Sequence, residues 1–398
     1  MKETTVPPKV LLAASLAVAV AVLIAAFGLV PGTVARTMNG RAGTALPAPS
    51  AEAVALHASL DVVDLHGDAL LWNRPLHRRA RWGHVDVPRL VEGRVALQGF
   101  TTVTKTPRGQ NIEANDGDTD NITLLAILQR WPPRTWRSLT ERALFQADKL
   151  RNAAERSGGR LRVVTSPDEL DDLLAARRSD PALVGGFLGI EGAHALDGSL
   201  ENLDRLHAAG FRMVGLTHFF DNRLGGSAHG RERGGLTAFG ARVLARMEAL
   251  GMFADVAHAS ALLVDDVLAR ARRPVVVSHG GVRGTCDNQR NLTDDQLRGL
   301  AATGGVVGIG LWETAVCGTT PEAWARAVRH AADVVGVEHV ALGSDWDGAV
   351  AAIVDASETV HLVQALLDAG FDPDEVRRIM GANALRVLRA GMAPGSAG

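Results

Sequence analysis

The chain has 398 residues, with 42 Lys and Arg against 44 Asp and Glu, for a formal net charge of −2. Charges of both signs are interspersed and no basic cluster stands out, which excludes the electrostatic footprint of a nucleic-acid groove. Hydrophobic residues make up 46%, enough for a sizeable core in one or two domains.

Residues 1–9 read as an N-terminal tail. Residues 10–30, VLLAASLAVAVAVLIAAFGLV, are uncharged and almost wholly apolar. As one helix they would run ~31 Å, enough to cross a bilayer core. The expected reading is a single-pass membrane anchor with the rest of the chain outside the cytoplasm. The other reading is a signal segment cut near Thr33-Val34-Ala35, leaving a secreted or periplasmic protein. Residues 31–54, rich in Pro, Gly, Ala, Ser and Thr, read as a linker.

From 55 to 392, short apolar runs alternate with helical patterns. Strands are predicted at 60–66, 94–103, 183–190, 211–217, 252–257, 274–278, 305–311 and 339–345. Most are continuous apolar runs, as parallel strands buried on both faces should be. Between them lie amphipathic helices such as 236–250, with Gly251 as its C-cap, and 293–302, with Thr293 as its N-cap. Eight strand–helix units predict an α/β fold, a (β/α)8 TIM-type barrel with an insertion after strand two, preceded by the N-terminal apolar helix. An open doubly wound sheet would want a Gly-rich phosphate turn after its first strand, and LHGDAL is not one. Residues 393–398 are a tail.

In such a barrel the chemistry sits at the C-terminal ends of the strands. Six of the eight predicted ends carry His, Asp or Glu: His66 and Asp68, Glu191, His218, His258, His279 and Asp345. Each alone has a bland explanation as a cap, a turn residue or a satisfied core histidine. Their coincidence at one ring of positions does not. Imidazole and carboxylate ligands suit a hydrolytic metal site. His66 and Asp68 alternate onto one face of the strand, so both can reach one ion. Three His and two carboxylates exceed the needs of a single catalytic zinc and fit two metals. Asp64 lies deeper on the same face and reads as support. The two cysteines, Cys286 and Cys317, are too few for a Cys-based zinc site. One disulfide or two free thiols are both open on spacing alone.

The ordered blocks DLHGD (64–68), GHVDVPRL (83–90), GIEGAH (189–194), LTHFFDN (216–222), NRLGGSAHG (222–230), GGLTAFG (234–240), DVAHAS (255–260), SHGGVRGTCDNQRNL (278–292) and GSDWDG (343–348) together resemble the membrane (renal-type) dipeptidases, binuclear zinc peptidases of the amidohydrolase-like barrels. The resemblance covers about 58–390. It implies two zinc ions per chain, one on His66 and Asp68, the other on His258 and His279, with Glu191 bridging and a metal-bridging hydroxide as nucleophile. It implies that His218 contacts substrate and stabilises the oxyanion, that Asp345 shuttles the proton, and that Arg290 grips the C-terminal carboxylate of a dipeptide. It also implies a Cys286–Cys317 disulfide, and a homodimer as in many family members. HGDAL replaces the family's frequent HNDLP-like opening, and the chain has no Tyr. Side-chain preference is therefore open, including dipeptides with a C-terminal D-residue. His84 and Asp86 read as a structural motif. The alternatives to a dipeptidase are a hydrolase of another small amide, lactam or lactone on the same metal core, and a non-catalytic binding protein.

Overall fold

The structure, a computed structural model, describes residues 7–43 and 45–393. Nine parallel strands carry the chain: β1 Val62–Gly67, β2 Val95–Val103, β3 Leu161–Val163, β4 Val184–Glu191, β5 Phe211–Gly215, β6 Phe253–Asp255, β7 Val276–Gly280, β8 Val306–Ile309 and β9 Val340–Leu342. They are ordered β2-β1-β9-β8-β7-β6-β5-β4-β3. A further pairing of β2 with β4, from Leu97 opposite Gly185 to Val103 opposite Glu191, closes eight of them into a barrel. The eight predicted strands are the eight barrel strands. β3 lies outside the ring, on the first residues of β4, along the edge that β5 takes from Leu188 onward.

Three features hold the mouth of the barrel in shape. The insertion after β2 carries helices at Asn121–Leu128 and Leu139–Arg156. Buried Arg142 pins it, donating to Asp120 at 2.6 Å and to the carbonyls of Thr104 and Thr135 at 2.6 Å each. The GHVD motif is a brace. Asp86 caps the helix Val87–Glu92 through the Arg89 amide, and the amides of His84 and Val85 donate to the Asp347 carboxylate at 2.8 and 3.2 Å. Asp347 also pairs with buried Arg74. Cys286 and Cys317 form a disulfide that ties the loop after β7 to the segment after β8.

The N-terminal region departs from expectation. Residues 10–30 are not one uniform helix. An α-helix, α1, runs Pro8–Ile24, a wider π-helical stretch follows at Ala25–Leu29, and a second α-helix, α2, covers Val30–Met38. Pro31 stands at the start of α2, where its missing N–H interrupts the i to i−4 ladder, and the preceding stretch opens to a looser pitch. Among the described residues no helix is long and apolar enough to cross a membrane. Nor is 31–54 a free linker. Pro31, Ala35 and Asn39 are buried against the barrel domain. Gly40 and Ala42 pair with Ala352, His84 Nε2 donates to the Gly40 carbonyl at 2.7 Å, and Arg41 pairs with Glu358. A further helix, Ala51–Ala58, follows. The expected tails 1–9 and 393–398 fall largely outside the described residues.

The disulfide closes a separation of 31 residues. Changing both cysteines to Ser is expected to lower the unfolding free energy by about 2–4 kcal/mol, read from urea melts of the oxidised wild type and the double variant.

Candidate active site

β1, β4, β6 and β7 deliver their polar ends to one spot. Glu191, the last residue of β4, is the centre. Its Oε1 lies 3.5 Å from His66 Nε2, 3.2 Å from His258 Nε2 and 3.5 Å from His279 Nε2, and its Oε2 lies 3.4 Å from His218 Nε2. The Nε2 atoms of His258 and His279 are 3.0 Å apart. Asp68 stands 3.7 Å from His66 Nε2 and accepts a hydrogen bond from Thr101 at 2.7 Å. All these side chains are buried. Three overlapping sets each have their donor atoms within 4.8 Å of one another: His66, Glu191 and His279; Glu191, His218 and His258; His66, Asp68 and Asp345. The sharing of Glu191 and His66 joins them into one continuous cluster.

A hydroxyl that the sequence reading did not single out sets the imidazole tautomers. Ser278 Oγ donates its one proton to Asp255 Oδ2 at 2.6 Å. The Nδ1 atoms of His66 and His279 both lie 2.9 Å from the same oxygen, so each must donate to it. Both rings therefore carry N–H at Nδ1 and turn Nε2, the atom a metal would take, toward the cluster. His66 Nε2 is buried with no hydrogen-bond partner. This is the outer-shell arrangement of metal-ligating histidines. Asp255, the lone charge in FADVA, was the available signal.

Asp64 fills its expected supporting role. It receives the Ser344 amide at 2.7 Å, the Ser344 hydroxyl at 2.8 Å and Gln98 Nε2 at 2.5 Å. It thereby clamps β1 and β2 to the loop that carries Asp345. Two cluster residues hold left-handed backbone, His258 at φ 62° and Asp345 at φ 61°, conformations uncommon for residues with a side chain and concentrated at functional sites.

The electrostatics follow from crowding without solvent. Burial and the neighbouring Asp68 push Glu191 up to about 7. Burial, with Asp68 and Glu191 nearby, holds Asp345 well above the usual carboxylate range. Burial opposes charge on His66, but Asp68 and Glu191 outweigh it and raise its affinity for a proton. Burial, followed by the Arg290 charge, drives His258 down; burial and the His66 charge do the same to His279. Without a cation, Glu191 and Asp345 are both inclined toward their protonated forms.

A cavity of about 630 Å³ opens onto these groups and is lined by Asp68, Glu191, His218, His258, Arg290 and Asp345 among others, within the usual size range for small-molecule sites. Arg290 lies over the Trp312 ring at 4.6 Å, with Nη2 3.1 Å from His258 Nε2 and Nη1 buried without a partner. His229, from NRLGGSAHG, also lines the cavity and stacks on Phe219 at 4.6 Å. Its Nδ1 must donate to the Ile112 carbonyl at 2.9 Å, which leaves Nε2 bare and unpartnered. The structure thus brings Asp68, Glu191, His218, His258, Arg290 and Asp345 to one cavity wall, with His66 and His279 against Glu191 behind it, and adds Ser278, Asp255, His229 and Trp312.

Residues 50–393 match the sequence family described as membrane dipeptidase (peptidase family M19). The chain belongs to the membrane dipeptidase family. It is 28% identical over 348 residues to Dipeptidase aclJ of Aspergillus oryzae, covering 82% of this chain and 77% of that one. It is 28% identical over 370 residues to mouse Dipeptidase 3, covering 85% and 66%. Among solved structures the fold is shared with the probable dipeptidase PvdM of Pseudomonas aeruginosa (TM-score 0.69, 17% identity, 86% and 98% covered). It is shared too with a Rhodobacter sphaeroides metallopeptidase bound to a phosphinate mimic of L-Ala-D-Ala (TM-score 0.64, 24% identity, 83% and 99% covered). The protein is a metallo-dipeptidase of this family, and its donor cluster fits a metal.

Because the ligands must shed protons, metal uptake is expected to release protons and to tighten as pH rises through about 7, the value to which Glu191 is pushed. Calorimetric titration of the metal-free protein with zinc, in buffers of different ionisation enthalpy, reads both effects. In the same assay Ser278→Ala should weaken binding roughly 10–100-fold, since both Nδ1 atoms lose their acceptor.

Proposed function

We propose that the protein hydrolyses the peptide bond of dipeptides with two zinc ions per chain. The observation that carries the reading is that Glu191 belongs to two donor sets at once, with His66 and His279 in one and His218 and His258 in the other. His66 and Asp68 would hold one ion, His258 and His279 the other, and Glu191 would bridge. A set of imidazole nitrogens and carboxylate oxygens without thiolate suits zinc. When bound, such a pair acidifies water to a nucleophile and polarises a carbonyl.

The remaining residues act on the substrate. Arg290, over the Trp312 ring at 4.6 Å with Nη1 unengaged, suits the planar fork of a C-terminal carboxylate. His218 faces the Oε2 side of Glu191, where it can donate to the oxygen that gains charge during attack. Asp345, buried at the same cluster, would in its ionised form take a proton from the attacking water and give it to the leaving amine. The phosphinate-bound Rhodobacter structure supports including C-terminal D-residues among the substrates. The disulfide supports an exported catalytic domain. A lactam or lactone would lack the carboxylate that Arg290 awaits.

Metal analysis should give two zinc per chain. Asp345→Asn should keep both while kcat on Ala-Ala and Ala-D-Ala falls roughly 10²–10⁴-fold. Full activity in His258→Ala, or one metal per wild-type chain, would sink the reading.

A further inference from the structure

The cavity has two chemically distinct ends. One is the cluster of His, Asp, Glu and Arg290. The other is apolar, and part of it comes from outside the barrel. Val30, Val34 and Met38 line the cavity together with Leu124, Leu125 and Leu128 of the helix Asn121–Leu128 in the insertion. The first three stand at i, i+4 and i+8, one stripe along α2. The neighbouring stripe, Pro31, Ala35 and Asn39, is the one that packs down. Ala35 sits in a buried cluster with Leu71, Trp72, Val103, Ile122, Ala126 and Trp131.

The docking is not a loose contact. Asn39 Oδ1 accepts from the Ala349 amide at 2.9 Å, the Ala42 amide donates to the Ala352 carbonyl, and the Ala352 amide donates to the Gly40 carbonyl. Gly348, Ala349 and Val350 line the cavity too, so α2 is bonded through Asn39 to the loop that begins at Asp345. The stripe itself remains partly open, at 42% for Val30, 38% for Val34 and 45% for Met38. Apolar side chains left open toward a cavity, next to a polar reaction centre, are a surface for an apolar group of the substrate.

We propose that α2 is a wall of the substrate site, and that Val34 and Met38 are specificity-determining residues selecting dipeptides with a large aliphatic side chain. The assignment rests on the dipeptidase reading above. The substrate's charged backbone lies at the cluster, and its side chain extends toward Val30, Val34 and Met38. Residues N-terminal to the barrel thus belong to the active site.

The test uses the full chain in detergent with zinc, and compares kcat/KM for Ala-Ala, Leu-Ala and Ala-Leu. Val34→Ser with Met38→Ser is expected to lower the ratio of the better leucine substrate to Ala-Ala by about tenfold or more, the scale of lost apolar contact in an enzyme pocket. Val34→Phe, which fills the wall, should also lower that ratio, by exclusion. A ratio taken within one preparation does not depend on the fraction of folded enzyme. If wild type cleaves Ala-Ala and neither variant moves the ratio, the wall assignment falls and the dipeptidase reading stands. If wild type cleaves none of the three, both fall.

Discussion

Glu191 has to keep a carboxylate buried within 3.5 Å of four imidazole nitrogens. That arrangement is costly for any single charge state without a cation, because burial penalises every ionised group while crowding sets like charges against each other. The surrounding structure bears this cost by fixing each partner independently. Ser278 and Asp255 hold two rings, Thr101 holds Asp68, and Ser344 with Gln98 holds Asp64 beneath them. The barrel brings these elements into register because four different strands end at the same height. A preorganised cavity of donors is what a metal site requires, and the cation in turn removes the penalty that the empty arrangement carries.

Much of this was legible in the sequence, for physical reasons. The eight barrel strands read clearly because most of their residues are buried, so most are near-continuous apolar runs, broken by few polar residues such as Asp64 and His66 in β1 and Arg212 in β5. β3 did not, being three residues long with Arg162 exposed in the middle. The cluster read clearly because a parallel barrel puts chemistry at strand C-termini, so six polar endings pointed to one place. Ser278 and Asp255 were harder. A serine beside a histidine and an aspartate within an apolar strand carry no spacing signal of their own, and their meaning lies in one hydroxyl shared across β1, β6 and β7. The N-terminal stretch misled by composition. Hydropathy weighs Phe27, Gly28 and Pro31 as apolar or neutral, but the helix changes there to i to i−5 bonding, as in the Val30 amide on the Ala25 carbonyl.

The family blocks divide into two physical kinds. DLHGD, GIEGAH, DVAHAS and the start of SHGGVRGTCDNQRNL contribute cluster atoms. GHVDVPRL and the end of GSDWDG are structural: Asp86 caps a helix, and Asp347 receives amides from His84 and Val85. Asp347 itself holds φ 62°, so the turn carrying Asp345 is strained at both aspartates, and the bonds from Arg74 and His84 hold it there. The same brace reaches the N-terminal segment, since His84 uses its other nitrogen on the Gly40 carbonyl. One imidazole thus links the Asp345–Asp347 turn to the N-terminal segment at Gly40.

The burial of Ala35 has a consequence for the order of events in the life of the chain. A peptidase cutting after Thr33-Val34-Ala35 needs an accessible, locally unfolded stretch. In the folded protein that bond lies within a helix, and Ala35 is only 1% exposed. Were the chain cut there, cutting and folding would compete for the same segment. A chain cut early forms its barrel without Val30 and Val34 beside the cavity. A chain that folds first shields the bond and keeps its amino-terminal stretch. The timing of one cleavage would then decide between two mature forms with differently shaped mouths.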